Sequence, residues 1–154
     1  MVVNPFFLVF KDGCKFFTTG KSFLKVKTSE ILTRFIFQRN HFRENGSVKT
    51  GAFIPNKFGD TSVNRVCDLD EELIWGIGKF VESKRKQKLY GRADINVIHV
   101  LDNKLEVKPW PYPLLSHANI TAYPAFDPQL QNAKQKAIAV DLAIKSSGKI
   151  YKTK

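Results

Sequence analysis

A chain of 154 residues with a 43% hydrophobic share suits one folded domain and argues against a disordered polymer. Twenty-five Lys and Arg against fourteen Asp and Glu give a formal net charge of +11. A field of that sign gathers anions, so the expected partner is a polyanion, nucleic acid first, with acidic proteins and anionic membranes as rivals.

In chain order, residues 1–28 stand apart as an N-terminal extension or hairpin, with five Lys, six Phe and no Arg. Phe6–Phe10, Lys15–Thr18 and Phe23–Lys27 read as short strands around an Asp12-Gly13 turn. A single domain is expected over 29–154. Glu30–Phe42 fits two patterns: Ile31 and Phe35 suit a helix, whereas Arg34–Arg39 alternates like a strand. Val48–Ile54 and Thr61–Val66 are predicted strands, separated by a Pro55–Asp60 loop.

A helix is predicted from about Asp70 to Lys86, capped by Asp68 or Asp70, with Glu71 and Glu72 at its positive end. Gly76 and Gly78 weaken it and point to close packing. Ile95–Leu101 and Lys104–Lys108 are predicted to pair as a hairpin through Asp102-Asn103. Pro109–Pro113 is a stiff crossing, and Ser116–Tyr123 returns as a strand. Asp127-Pro128 opens a last helix ended by Gly148, and Ile150–Lys154 forms a basic tail. The order of elements predicts an α+β fold: an antiparallel sheet of about five strands with two main helices packed on one face.

Cys14 and Cys67 lie in no paired motif, so neither a zinc knuckle nor a redox dithiol is expected; one disulfide between them is the alternative to two thiols, which suit a reducing cytoplasm. The apolar opening Met1–Phe10 lacks a basic lead and ends at Lys11-Asp12, too short to span a membrane. Phosphate-loop, dinucleotide, metalloprotease and nucleophile-elbow motifs are absent, so no metal and no cofactor are expected.

Five stretches could carry chemistry. Lys84, Arg85, Lys86 and Lys88, with Tyr90 and Arg92, suit phosphate contacts and base stacking; a solvated helix end explains the same charges. Tyr90–Asp94 offers Arg92 either to a phosphate or to a carboxylate such as Asp94 or Glu106. Thr61–Arg65 sets Ser62 and Arg65 on opposite sides of a strand, with no histidine near Ser62 in sequence. His117 and Asn119 share a strand face, where His117 suits acid–base work or a hydrogen-bonded hinge. Arg34, Arg39, His41 and Arg43 suit a phosphate-gripping loop. His117 and His41 with Arg65 form a candidate catalytic set for RNA cleavage without metal.

The stretches Arg34–Phe42, Gly51–Pro55, Thr61–Arg65, Tyr90–Asp94 and His117–Ile120, followed by an Ala-rich helix, resemble those of a family of small uncharacterised bacterial proteins. The resemblance covers residues 30–146 and implies no assigned activity; it implies only that these polar stretches form one site. The leading expectation is a basic nucleic-acid-binding module, RNA or DNA, as a small subunit of a larger bacterial nucleoprotein or defence assembly. The alternatives are a metal-independent enzyme acting on RNA or a nucleotide, and an interaction module for an acidic protein.

Overall fold

The computed structural model describes residues 25–66, 69–112, 114–125, 128 and 131–153, and not the side chains of residues 131 and 132. The strands expected at Phe6–Phe10 and Lys15–Thr18, the Asp12-Gly13 turn, Cys14, Cys67 and the Asp127 cap lie outside these residues. Strands β1 (Ile31–Ile36) and β2 (Thr61–Arg65) are followed by α1 (Glu71–Arg85), β3 (Gly91–Asn96), α2 (Val97–Asp102), β4 (Glu106–Pro109), β5 (His117–Thr121), α3 (Gln131–Lys145) and β6 (Ser147–Ile150). The six strands form one sheet in the order β4-β5-β2-β1-β3-β6, with every neighbouring pair antiparallel. The α+β class and the antiparallel sheet are therefore as the sequence predicts.

The position of the helices is not. Residues opposite one another in an antiparallel pair share a face, and the register aligns Leu32 with Arg65 and with Ile95, and Phe35 with Arg92. Leu32, Val63, Ile95, Ala118 and Ile120 pack in one core with Ala139, Leu142 and Ala143 of α3. Phe35 packs in a second core with Ile74 and Ile77 of α1, Leu89 and Leu114. The two long helices thus cover opposite faces rather than one. The reason lies in β1, which is apolar both ways: Leu32 and Ile36 point to the first core, Phe35 to the second, so both faces need a cover.

Three elements depart from expectation. Val48–Ile54 is not a strand; Val48 makes a single bridge to Phe42, and Thr50–Phe53 is a 3-10 turn that buries Ala52 and Phe53. The hairpin predicted over Ile95–Lys108 does not form. After β3 the β-branched run turns into α2, burying Val97 and Val100 three residues apart, and β4 pairs with β5 at the far edge. Burial on one side of a helical turn here overrides the β preference of Val and Ile. Third, the stretch running into the expected basic tail forms β6, which closes the other edge against β3. Lys25–Lys27, at the end of a predicted strand, are not in a strand. The ambiguous Glu30–Phe42 stretch resolves into β1 and a 3-10 turn at Arg39–His41.

Helix α1 begins as predicted, with Asp70 accepting from Leu73 N at 2.9 Å. It ends at Lys86, in left-handed conformation (φ 53°). Among the described residues no helix is long and apolar enough to cross a membrane.

The two α1 glycines differ in their surroundings. A Cβ on Gly76 would meet nothing within 4 Å, whereas one on Gly78 would lie 2.7 Å from the Phe35 ring and 3.0 Å from Leu89. Gly76→Ala is therefore expected to stabilise the fold by about 1 kcal/mol through helix propensity. Gly78→Ala is expected to destabilise it by about 1–3 kcal/mol through overpacking. Urea unfolding of the two variants checks this; shifts of the same sign would contradict the packing described.

Candidate active site

β2 and β5 lie side by side with Asn64 opposite His117 and Ser62 opposite Asn119. All four side chains face the α1 side of the sheet, the face opposite the Val63 core. The diagonal places Ser62 Oγ 2.7 Å from His117 Nε2. The other ring nitrogen, Nδ1, lies 2.8 Å from the Trp110 carbonyl oxygen. A carbonyl oxygen only accepts, so Nδ1 carries the proton; in the neutral ring Nε2 is bare and accepts from the Ser62 hydroxyl. The imidazole is thereby held in the tautomer that can take a proton from Ser62.

The local sequence builds this arrangement. Pro109 and Pro111 flank Trp110, and the Trp110 amide donates to His117 O at 3.0 Å. That bond closes the β4–β5 connection and brings the Trp110 carbonyl back over the ring. Ser116 Oγ donates to Asn64 Oδ1 at 3.0 Å in the buried layer beneath, which orients Asn64. Ser62 is fixed from its backbone by Arg34, whose Nη1 donates to Ser62 O at 2.9 Å and whose Nε donates to Ala52 O at 3.1 Å. Direct β1–β2 partners are confined to Leu32–Arg65 and Thr33–Asn64, so the Arg34 guanidinium holds the two strands together where their pairing stops.

Ser62, Asn64 and His117 form the floor of a cavity of about 250 Å³, walled by Phe80, Val81, Lys84 and Arg85 of α1 and by Leu114. No carboxylate lines it. Among the described residues neither Lys84 nor Arg85 forms an ion pair; Lys84 lies over the Phe80 ring at 5.4 Å and Arg85 over Phe37 at 5.2 Å. Burial pushes the His117 imidazole below its ordinary value, and the Arg85 charge acts the same way, while the Trp110 carbonyl favours the protonated ring and opposes both. Burial, with the charge of Arg85, also pulls Arg34 down to about 10, which leaves it a cation at neutral pH.

Chemically, the arrangement can do two things. It can hold an anionic ligand against Lys84 and Arg85, with Phe80 as an apolar wall. It can also move the Ser62 proton to His117. Its volume is slightly below the ~300–1,000 Å³ of drug-sized sites, a scale for one monomer unit rather than a folded polymer. Among the described residues no group of three or more His, Cys, Asp or Glu is placed to hold a metal ion.

Other residues expected at the site are elsewhere. Arg65, placed in the catalytic set from the sequence, lies on the opposite face of β2. It is fully buried in a two-pronged ion pair with Glu30, Nε–Oε2 at 2.8 Å and Nη2–Oε1 at 2.9 Å. Arg92, expected on a ligand, is 1% exposed, paired with Glu71 at 2.6 Å and Asp94 at 3.1 Å and stacked 4.6 Å over Trp75. That environment draws Glu71 down to about 2, chiefly through its bond to Arg92 and then its bond to Lys149. His41 does not line the cavity; it packs on Gly51, and burial followed by the charges of Arg34 and Lys49 pushes its imidazole down. Arg39 and Tyr90 line a separate groove of about 300 Å³ with Arg43, Phe42, Glu44 and Ile150. Lys88 sits 5.4 Å over the Tyr90 ring beside it, and Lys86 is exposed.

Ser62, Asn64 and Phe80 are site residues absent from the set that the sequence proposes. The residues Ser62 and His117 are 55 positions apart, so only the β2–β5 register brings them together. No family model matches the chain, and no curated protein or solved structure matches it.

With its folded value below the unfolded one, His117 is protonated first in the unfolded chain. It therefore lowers stability as pH falls through the ordinary imidazole range, and has no such effect above it. NMR titration of the ring is expected to place His117 below a free imidazole, and Arg85→Gln to move it upward. An unshifted or raised value would contradict the buried, cation-flanked setting.

Proposed function

We propose that the chain is a metal-independent enzyme acting on RNA or a nucleotide, with His117 as the proton acceptor of the site. One observation carries this reading. The Ser62–His117 contact lies in a cavity whose charged walls, Lys84 and Arg85, are cations without carboxylate partners among the described residues. Serine beside an oriented histidine is chemistry common to acyl and phosphoryl transfer. The cations favour the second, because a phosphoryl transition state spreads negative charge over oxygens that guanidinium and ammonium groups stabilise. The overall charge of +11 supports a substrate of the opposite sign.

A second reading, the nucleic-acid-binding module within a larger assembly, is favoured by the groove of Arg39, Arg43 and Tyr90 beside Lys88. Cations next to a ring suit phosphates and a stacked base. The two readings are compatible: the groove grips, and the cavity reacts.

The test is turnover of short RNAs and of mono- and dinucleotides by the full chain, with and without a chelator. The expected result is cleavage insensitive to chelator and reduced about 10²–10⁴-fold in His117→Ala, the usual contribution of a positioned acid–base group. Activity that needs added metal, or that persists in His117→Ala, would contradict the enzyme reading. Salt-sensitive binding without turnover would leave the binding module alone.

A further inference from the structure

Both nitrogens of His117 are already engaged, Nδ1 by the Trp110 carbonyl and Nε2 by Ser62 Oγ. A ligand hydroxyl or a water entering the cavity therefore cannot reach the basic nitrogen without first displacing Ser62. The group that the bare Nε2 polarises is the serine itself, at a distance of 2.7 Å that already suits proton transfer.

We propose that Ser62 is the nucleophile of this site and forms a covalent phosphoryl-serine intermediate with a phosphodiester or nucleotide, an inference that rests on the reading above for its substrate class. In the first step Ser62 Oγ attacks phosphorus and its proton passes to His117 Nε2. The Oγ–P bond forms as the bond from phosphorus to the leaving oxygen breaks, and the imidazolium returns the proton to that oxygen. In the second step a water takes the place of the leaving group. His117 accepts its proton, the water oxygen bonds to phosphorus, the Oγ–P bond breaks, and Ser62 regains a proton from His117. No oxidant, reductant or metal enters the balance.

The remaining lining groups have matching tasks. Lys84 and Arg85 stand where they can meet the non-bridging oxygens. Asn64, with Oδ1 accepting from Ser116, presents an Nδ2 that donates to no group among the described residues. Phe80 and Leu114 provide apolar walls for the remainder of the ligand. The third member of the constellation is a backbone carbonyl rather than a carboxylate. It fixes the ring as Asp does in a Ser-His-Asp triad but brings no negative charge to the site. An anionic substrate therefore approaches without meeting a buried carboxylate.

The experiment is phosphorylation of the full chain by diisopropyl fluorophosphate, followed by peptide mapping. In this reaction the Oγ–P bond forms, the P–F bond breaks, and fluoride leaves with the serine proton held by His117. The expected result is one adduct on Ser62, absent in Ser62→Ala and formed at least about 100-fold more slowly in His117→Ala. Folding of both variants is checked by circular dichroism, and the wild-type map stands without them. A labelled Ser62 in a protein that turns over no nucleotide upholds the nucleophile and moves the substrate to another ester class. No adduct on Ser62, or labelling at the same rate in His117→Ala, overturns the proposal. Nucleotide turnover that is undiminished in Ser62→Ala overturns it as well, and in that case the reading above survives without a covalent intermediate.

Discussion

A sheet covered on both faces leaves little solvent for the arginines of its central strands, and that constraint separates cations tied into the fold from those left at its surface. Arg65 is fully buried and meets Glu30 in a two-pronged pair. Arg92 is paired with Glu71 and Asp94 through Nε and Nη2 and lies over the face of Trp75, while its buried Nη1 meets no acceptor among the described residues. Arg34 donates to two backbone carbonyls at the place where β1 and β2 cease to pair. Arg65 and Arg92 are held by carboxylates and Arg34 by carbonyl oxygens, because a buried charge left without any partner would cost several kcal/mol. The cations at the end of α1 are under no such demand. Lys84 and Arg85 rest against aromatic rings and face a cavity instead. The division between structural and available charge thus follows from the sheet.

The sequence conveys the elements that have local signals. Helix α1 has a capping Asp70, two acidic residues in its first turn and a regular apolar spacing, and it stands where those signals place it. β2 and β5 show alternation and are strands. The departures are of one kind: local preference overruled by distant packing. Val97–Asp102 is β-branched and apolar, yet it coils because Val97 and Val100 fill the core beneath α3. Ser147–Ile150 lacks a strand's pattern, and only the open edge of β3 makes it a strand. One apolar stripe on each helix suggests a shared face, but apolar residues on both sides of β1 demand two covers.

The site is half legible. His117 stands out as a titratable group on a strand face, and Lys84 and Arg85 as part of a basic run. Ser62 does not, because no histidine lies near it in sequence. Its partner comes from β5 through strand pairing, and pairing between distant strands leaves no trace in spacing. The Trp110 carbonyl is equally invisible, since nothing in a side-chain motif reports a backbone acceptor. Conversely, Arg65 and Arg92 look functional by residue type, and only their burial and their carboxylate partners show them as ties within the fold.

The site turns on the protonation of one ring: His117 with its proton on Nδ1, donated to the Trp110 carbonyl, and a bare Nε2 receiving the Ser62 hydroxyl. Long-range proton–nitrogen correlation NMR of the ¹⁵N-labelled protein at neutral pH reads that state directly. The expected result is a neutral ring with Nδ1 protonated and Nε2 shifted as an unprotonated acceptor. A ring protonated on Nε2 instead would make Ser62 the acceptor and face a bare Nδ1 toward a carbonyl oxygen, and that result would contradict this assignment.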